Sequence, residues 1–193
     1  KTAFKQIDLG DYLITIGIEP SRPDTGYGYI KSNNNFSGIN ESVKSVDEFT
    51  EKPELEKAEK FISAGNYYWN SGMFIWSAAS IMQAFSNHTP KLFKQFNDIK
   101  NVLNTSAEIT KIEEVYPKCD DVSIDYAIME KATNKLVILA DFGWSDLGTW
   151  GSLYTHLNKD NNNNAIIGNK VFQFNSEKNI VMMPKDKTVI IQG

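Results

Sequence analysis

Residues 13–18, Leu-Ile-Thr-Ile-Gly-Ile, are β-branched and almost continuously apolar, which predicts a strand covered on both faces. Pro20 and Pro23 end it and open a loop. A short extended segment is expected over 27–30, and a hairpin or loop tip over the polar, Asn-rich 31–38. Residues 43–51 alternate and predict another strand. Pro53, with Glu54 and Glu56 behind it, marks a helix start, and Gly65 marks its end. The aromatic run 67–76 reads as extended, and helical spacing of Ile81, Met82 and Phe85 follows over 77–85. Helices are also expected over 90–96, 107–115, 123–131 (with Ser123 as N-cap) and 147–157, the last starting just after Asp146. A buried-type strand is expected over 136–140.

From Asn158 the pattern changes. The run 161–164, four asparagines, predicts a turn, and short strands follow over 165–167, 171–174, 180–183 and 189–191. The expected organisation is a mixed α/β part over 1–157 and a β-rich segment over 158–193, the start of a solenoid for which a left-handed β-helix is the candidate form. The chain opens at Lys1 without methionine and stops in a strand pattern, so it is expected to be a piece of a longer protein.

Composition narrows the function classes. A hydrophobic fraction of 41% over 193 residues supports a buried core. A net charge of −4 argues against general nucleic-acid binding, which needs clustered basic residues, but leaves room for a small anion held by a few placed lysines. With Cys119 alone, no intrachain disulfide forms, and a reducing, cytoplasmic setting is expected. No apolar run approaches a membrane span, so no membrane partner is expected.

Four polar clusters, three of them with glycine, stand at the edges of apolar runs: 25–29 (Thr-Gly-Tyr-Gly-Tyr), 49–53 (Phe-Thr-Glu-Lys-Pro), 69–74 (Trp-Asn-Ser-Gly-Met-Phe) and 144–148 (Trp-Ser-Asp-Leu-Gly). Together they offer what a sugar phosphate needs: a carboxylate and an amide for hydroxyls, an ammonium for phosphate, and bare backbone for close approach. Singly, each has a plainer reading. Glu51-Lys52 reads equally as a solvated ion pair before a helix, and Asn70 as a buried amide satisfied within the protein. Gly26 and Gly28 suit an ordinary turn, and Asp146 suits an N-cap as well as a divalent cation. His88 and His156 lack metal-site spacing, and neither a Walker loop nor a nucleophile elbow is present.

Taken in order, these blocks resemble the mannose-1-phosphate guanylyltransferases. The similarity runs from 17–20 (Gly-Ile-Glu-Pro) through 25–30, 49–53, 69–74 and 123–131 (Ser-Ile-Asp-Tyr-Ala-Ile-Met-Glu-Lys) to 144–150 (Trp-Ser-Asp-Leu-Gly-Thr-Trp). The resemblance implies a Rossmann-like nucleotidyltransferase fold, of which this chain carries the sugar-phosphate half. It also implies the reaction of mannose 1-phosphate with GTP to give GDP-mannose and pyrophosphate, with Mg²⁺ as cofactor. By the same resemblance, Glu51 and Asn70 bind sugar hydroxyls and Gly28 offers its backbone amide, with Tyr27 and Gly72 beside them. Lys52 holds the sugar phosphate, Asp146 ligates Mg²⁺, and Asp125 supports the pocket. A second copy of the chain is a candidate partner. The family's Gly-rich nucleotide loop and a second metal-binding Asp have no match here. The chain alone is therefore expected to be inactive. A non-catalytic sugar-nucleotide sensor and a transferase for another hexose 1-phosphate remain the alternatives.

Overall fold

The computed structural model describes residues 1–34, 36 and 38–193. Positions 35 and 37 of the expected 31–38 tip lie outside the described residues. Two compact units form, Lys1–Trp144 and Ser145–Gly193, so the division falls ahead of the expected 157/158 boundary and the last helix belongs to the second unit.

Five strands of the first unit close into a barrel: β1 (Leu13–Ile18), β2 (Tyr29–Asn33), β3 (Val43–Thr50), β4 (Tyr67–Ile75) and β5 (Lys135–Leu139), in the order β1-β4-β2-β3-β5. Only β1 and β5 run parallel; every other pairing in the barrel is antiparallel. The sheet closes because β5 pairs with β3 as well as with β1. Both faces of the central strands are covered, as the continuous apolar runs require. Leu13 and Val137 point to a cluster with Ile30, Val46, Phe49 and Ile128, while their neighbours Ile14 and Leu136 point to another with Ala3, Val43 and Ile138. The alternation is the strand period of two.

Helix α1 (Thr2–Ile7) precedes β1, α2 (Leu55–Ala64) joins β3 to β4, and α3 (Ala78–His88), α4 (Pro90–Lys100) and α5 (Glu108–Val115) lie between β4 and β5 in the chain. A short 3₁₀ turn, Tyr116–Lys118, follows α5, and a π-turn, Asp125–Met129, precedes β5. Glu54, not Pro53, holds the N-cap position of helix α2, without a side-chain cap bond, and the helix ends at Gly65 with φ 71°, the left-handed conformation expected of a terminal glycine. Ser77 caps α3 by accepting the Ser80 N–H. The predicted helix 123–131 is instead the π-turn, whose N-cap position is Ile124; Ser123 Oγ lies 3.5 Å from the Tyr126 N–H.

In the second unit, α6 (Trp150–His156) is capped by Thr149, whose Oγ1 accepts the Ser152 N–H at 3.1 Å. The cap is therefore Thr149 and not Asp146, since the helix begins later than the apolar pattern suggests. Strands β6 (Ala165–Ile167) and β8 (Ile180–Met182) pair in parallel, as do β7 (Val171–Phe174) and β9 (Val189–Gln192). The asparagine run does more than turn. Asn164 is buried and ties the turn to the segment between β7 and β8: its Nδ2 donates to Ser176 O, and its Oδ1 accepts from both Asn179 N and Nδ2.

Candidate active site

Strand register, not sequence proximity, assembles the candidate residues. Tyr29 pairs with Thr50 across β2 and β3, and with Trp69 across β2 and β4. One step further out, Gly28 therefore lies between Glu51 and Asn70, and the Asn70 N–H donates to Gly28 O at 2.8 Å. A Cβ built on Gly28 would stand 2.5 Å from Glu51 Oε2 and 3.3 Å from Asn70 Cβ. The missing side chain is what lets a carboxylate and an amide flank the same stretch of bare backbone.

Asn70 is aimed by a bulge. Thr15 pairs with Phe74 but Gly17 pairs with Asn70, so β4 carries extra residues between those positions. Gly72, at φ 72°, absorbs the bend. There Asn70 Oδ1 accepts from Thr15 Oγ1 at 2.8 Å and from Gly72 N at 3.2 Å, and its Nδ2 donates to Asp125 Oδ1 at 3.0 Å. The protein thus fixes the orientation of the amide while one N–H of the two on Nδ2 remains beyond these bonds. The plain reading of Asn70, an amide satisfied internally, holds for its oxygen.

Glu51 and Lys52 form the corner where β3 ends. Lys52 Nζ lies 2.9 Å from Glu51 Oε1, with the carboxylate buried and the lysine side chain 59% exposed. Lys52 adopts φ 44°, a left-handed conformation costing a non-glycine residue about 1–3 kcal/mol. The Glu51 N–H donates to Glu130 Oε1 at 3.2 Å. Burial raises the Glu51 pKa, and the negative charges of Asp125 and Glu130 add to it; together they outweigh the Lys52 ammonium. Lys52 is itself held more strongly protonated by its bond to Glu51. The corner therefore presents a carboxylate with one oxygen engaged by Lys52 and the other at Gly28.

Tyr27 is not brought into this row. Its ring packs edge-on against Trp69 at 5.0 Å and Trp144 at 5.3 Å, in the aromatic cluster that also holds Phe61 of α2. Tyr27 and Gly28 precede β2, and the Tyr27 ring joins the aromatic cluster while a Cβ at Gly28 would meet Glu51 and Asn70. Arg22 lies over the Tyr27 and Trp69 rings and pairs with Asp24 at 2.7 Å, which ties down the loop leading into β2.

Asp146 belongs to the second unit, where it is exposed and its Oδ1 accepts the Gly148 N–H at 3.0 Å. Among the described residues, no three His, Cys, Asp or Glu side chains group into a metal cage. Mg²⁺ is commonly held by one or two carboxylates together with substrate phosphates, so a single exposed aspartate fits a site completed by its substrate. Cys119 is half-buried, with its thiol directed at Val115 O. It lines a separate cleft of about 640 Å³ with Met82, Phe85, Phe93, Phe96 and Tyr116, whose apolar walls do not suit a polyhydroxylated anion. Sequence reasoning missed Thr15 and Glu130. The only signal for Thr15 was a lone hydroxyl in an apolar strand, and for Glu130 an acid at the end of a helical pattern.

A closed barrel with helices between its strands in chain order, carrying a polar row at the strand ends, makes the first unit an α/β domain with a candidate ligand site. The nucleotidyl transferase family model matches residues 2–163, and the chain belongs to that family. More particularly, it is 37% identical over 171 residues to a mannose-1-phosphate guanylyltransferase of Sinorhizobium fredii, covering 88% of this chain and 33% of that protein. A mannose-1-phosphate guanylyltransferase of Escherichia coli is 38% identical over 89% of this chain and 37% of its own length. The chain thus spans about a third of the curated relatives it matches. The crystal structure of mannose-1-phosphate geranyltransferase from Thermus thermophilus superposes with a TM-score of 0.70 at 25% identity, covering 99% of this chain and 55% of that one. Among the described residues, no helix is long and apolar enough to cross a membrane.

Proposed function

We propose that this chain is the sugar-phosphate-binding part of an enzyme that transfers GMP from GTP to mannose 1-phosphate, giving GDP-mannose and pyrophosphate. The observation that carries the reading is the row Glu51–Gly28–Asn70, in which an acceptor and an amide flank a bare glycine within reach of an exposed ammonium. The relatives' names supply the hexose and the nucleotide.

In this reading the Gly28 backbone lies against the sugar ring. Glu51 Oε2 accepts from ring hydroxyls, and the N–H of Asn70 Nδ2 not used by Asp125 donates to another. Lys52 pivots from Glu51 toward the sugar phosphate, which its exposed side chain permits. Chemistry of this kind is chiefly positioning: the phosphate oxygen must be held in line with the α-phosphorus of GTP. Asp146 would offer one carboxylate to Mg²⁺, an ion that supplies charge neutralisation on phosphates when bound. Tyr27 supports the row from behind rather than touching the sugar. The second unit, with its two parallel strand pairs, is proposed to begin a left-handed β-helix.

Titration of the 193-residue chain with mannose 1-phosphate, mannose and inorganic phosphate tests the binding role. Mannose 1-phosphate should bind more tightly than either part, and Lys52→Ala should remove the advantage over mannose. Equal affinity of mannose 1-phosphate and mannose for the unaltered chain would contradict the reading. With GTP, mannose 1-phosphate and Mg²⁺ together, the chain alone should release no pyrophosphate, and steady release would overturn its assignment as one part of the machinery.

A further inference from the structure

The π-turn Asp125–Met129 reaches both halves of the row. Its first residue, Asp125, accepts from Asn70 on β4, while Glu130 immediately after it accepts from the backbone of Glu51 at the end of β3. Nothing in the sequence reading gave Glu130 a role. We infer that Glu130 is a positioning residue for the Glu51–Lys52 corner, placed there by the π-turn; the inference rests on the proposed sugar-phosphate role of that corner.

Helix geometry shows why the turn type matters. In an α-helix, five residues sweep about 500°, leaving positions 125 and 130 roughly 140° apart around the axis. In the i→i+5 repeat they stack on one side, and the Glu130 N–H donates to Asp125 O at 2.9 Å. The turn is anchored from behind by Ala127, Ile128 and Met129, all buried in the first core cluster. Lys135 of β5 fixes its end, with Nζ 3.5 Å from Glu130 O. One rigid element thus sets the separation between the amide that faces the sugar and the corner that carries Lys52. The bond to the Glu51 N–H also helps hold the left-handed turn at Lys52, which has no glycine to relieve it.

Charge is the second consequence. Glu51 faces Lys52, Asp125 and Glu130, so the positioning carboxylate is also a like charge on the residue it positions. Replacing Glu130 by glutamine keeps an acceptor for the Glu51 N–H and removes that charge, whereas alanine removes both. The two substitutions thus separate the hydrogen bond from the charge.

The test uses the isotope-labelled 193-residue chain with Glu130→Ala, Glu130→Gln and Glu130→Asp. Three quantities are read: exchange of the Glu51 amide, the titration midpoint of the Glu51 carboxyl, and affinity for mannose 1-phosphate. In Glu130→Ala the Glu51 amide should exchange about ten-fold faster and affinity should fall about three- to ten-fold, as loss of one hydrogen bond implies. Glu130→Gln should recover exchange and affinity to within about two-fold. The Glu51 midpoint should fall in both, since a like charge has gone. Glu130→Asp, one methylene shorter, should reproduce the loss of amide protection even if the alanine variant fails to fold. Unchanged exchange in Glu130→Ala, or glutamine no better than alanine, would overturn the inference. If the unaltered chain binds no mannose 1-phosphate, the functional reading falls, while exchange and titration still decide whether Glu130 holds the corner.

Discussion

Thr15 offers the sharpest separation of stability from binding. It is fully buried in β1, and its hydroxyl donates to Asn70 Oδ1 at 2.8 Å. Thr15→Val keeps the branched shape and removes only the donor. Asn70 Oδ1 is then left with the Gly72 N–H at 3.2 Å. A net hydrogen bond is worth about 1 kcal/mol, and the methyl group that replaces the hydroxyl returns part of that in a dry site. The first unit should lose about 1 kcal/mol or less, lowering its Tm by roughly 2–4 °C. Affinity for mannose 1-phosphate should fall further, by about ten-fold, because the amide is no longer locked in the orientation that directs its second N–H at the ligand. Thr15→Ser is the mirror case. It keeps the donor and deletes a buried methyl, costing about 1 kcal/mol of stability while affinity stays within about two-fold. Scanning calorimetry and titration calorimetry on the same samples read both quantities. Unaltered affinity in Thr15→Val, or equal affinity losses in the two variants, would refute the reasoning.

Gly28→Ala places a Cβ against Glu51 Oε2, a side-chain end that can move, so folding should cost about 1 kcal/mol while binding falls at least about ten-fold; affinity within about two-fold of the unaltered chain in titration would contradict this. Glu51 has its folded-state pKa raised above its ordinary 4.5, chiefly by burial, so the stability linked to its protonated form is fully present below 4.5 and lost as pH rises through the folded value. Glu51→Gln, neutral throughout, should therefore be more stable than the unaltered chain at about pH 7, with the two urea midpoints converging as pH falls below 4.5; a gap that stays constant across that range would show the burial argument to be wrong. In a full-length relative carrying the corresponding residues, Asp146→Ala should abolish Mg²⁺-dependent pyrophosphate release, and an undiminished rate would remove Asp146 from metal binding.

Most strands and helices were legible because their hydrophobic periods are strong. Residues 13–18 and 43–51 read as strands and fold as β1 and β3 within a residue, and Gly65 ends α2 as its backbone freedom allows. Helix α1 was not legible: it is six residues long, and its buried face carries Gln6, whose Oε1 accepts the Ile39 N–H across the fold. The π-turn escaped because Ala127, Ile128 and Met129 are apolar in a pattern that suits an α-helix as well. At the site, the residue types were readable but their convergence was not. Gly28 stands between Glu51 and Asn70 only in one register, and a slip of one residue on β2 would replace it with Tyr27 or Tyr29. Tyr27 and Gly28 are neighbours in sequence, yet the Tyr27 ring packs in the aromatic cluster while Gly28 faces Glu51 and Asn70, a divergence that proximity in the chain does not report. Barrel closure rests on β5 pairing with β3 across a sequence separation that local patterns do not report.

The account depends on one row of three strands meeting one ligand. Titrating the ¹⁵N-labelled chain with mannose 1-phosphate and following its amide spectrum tests that most directly. The largest saturable shifts should fall on Gly28, Glu51, Lys52, Asn70 and Gly72. Saturable shifts gathered instead around Phe85, Phe93 and Cys119, with the row unmoved, or no saturable shift at all, would contradict it.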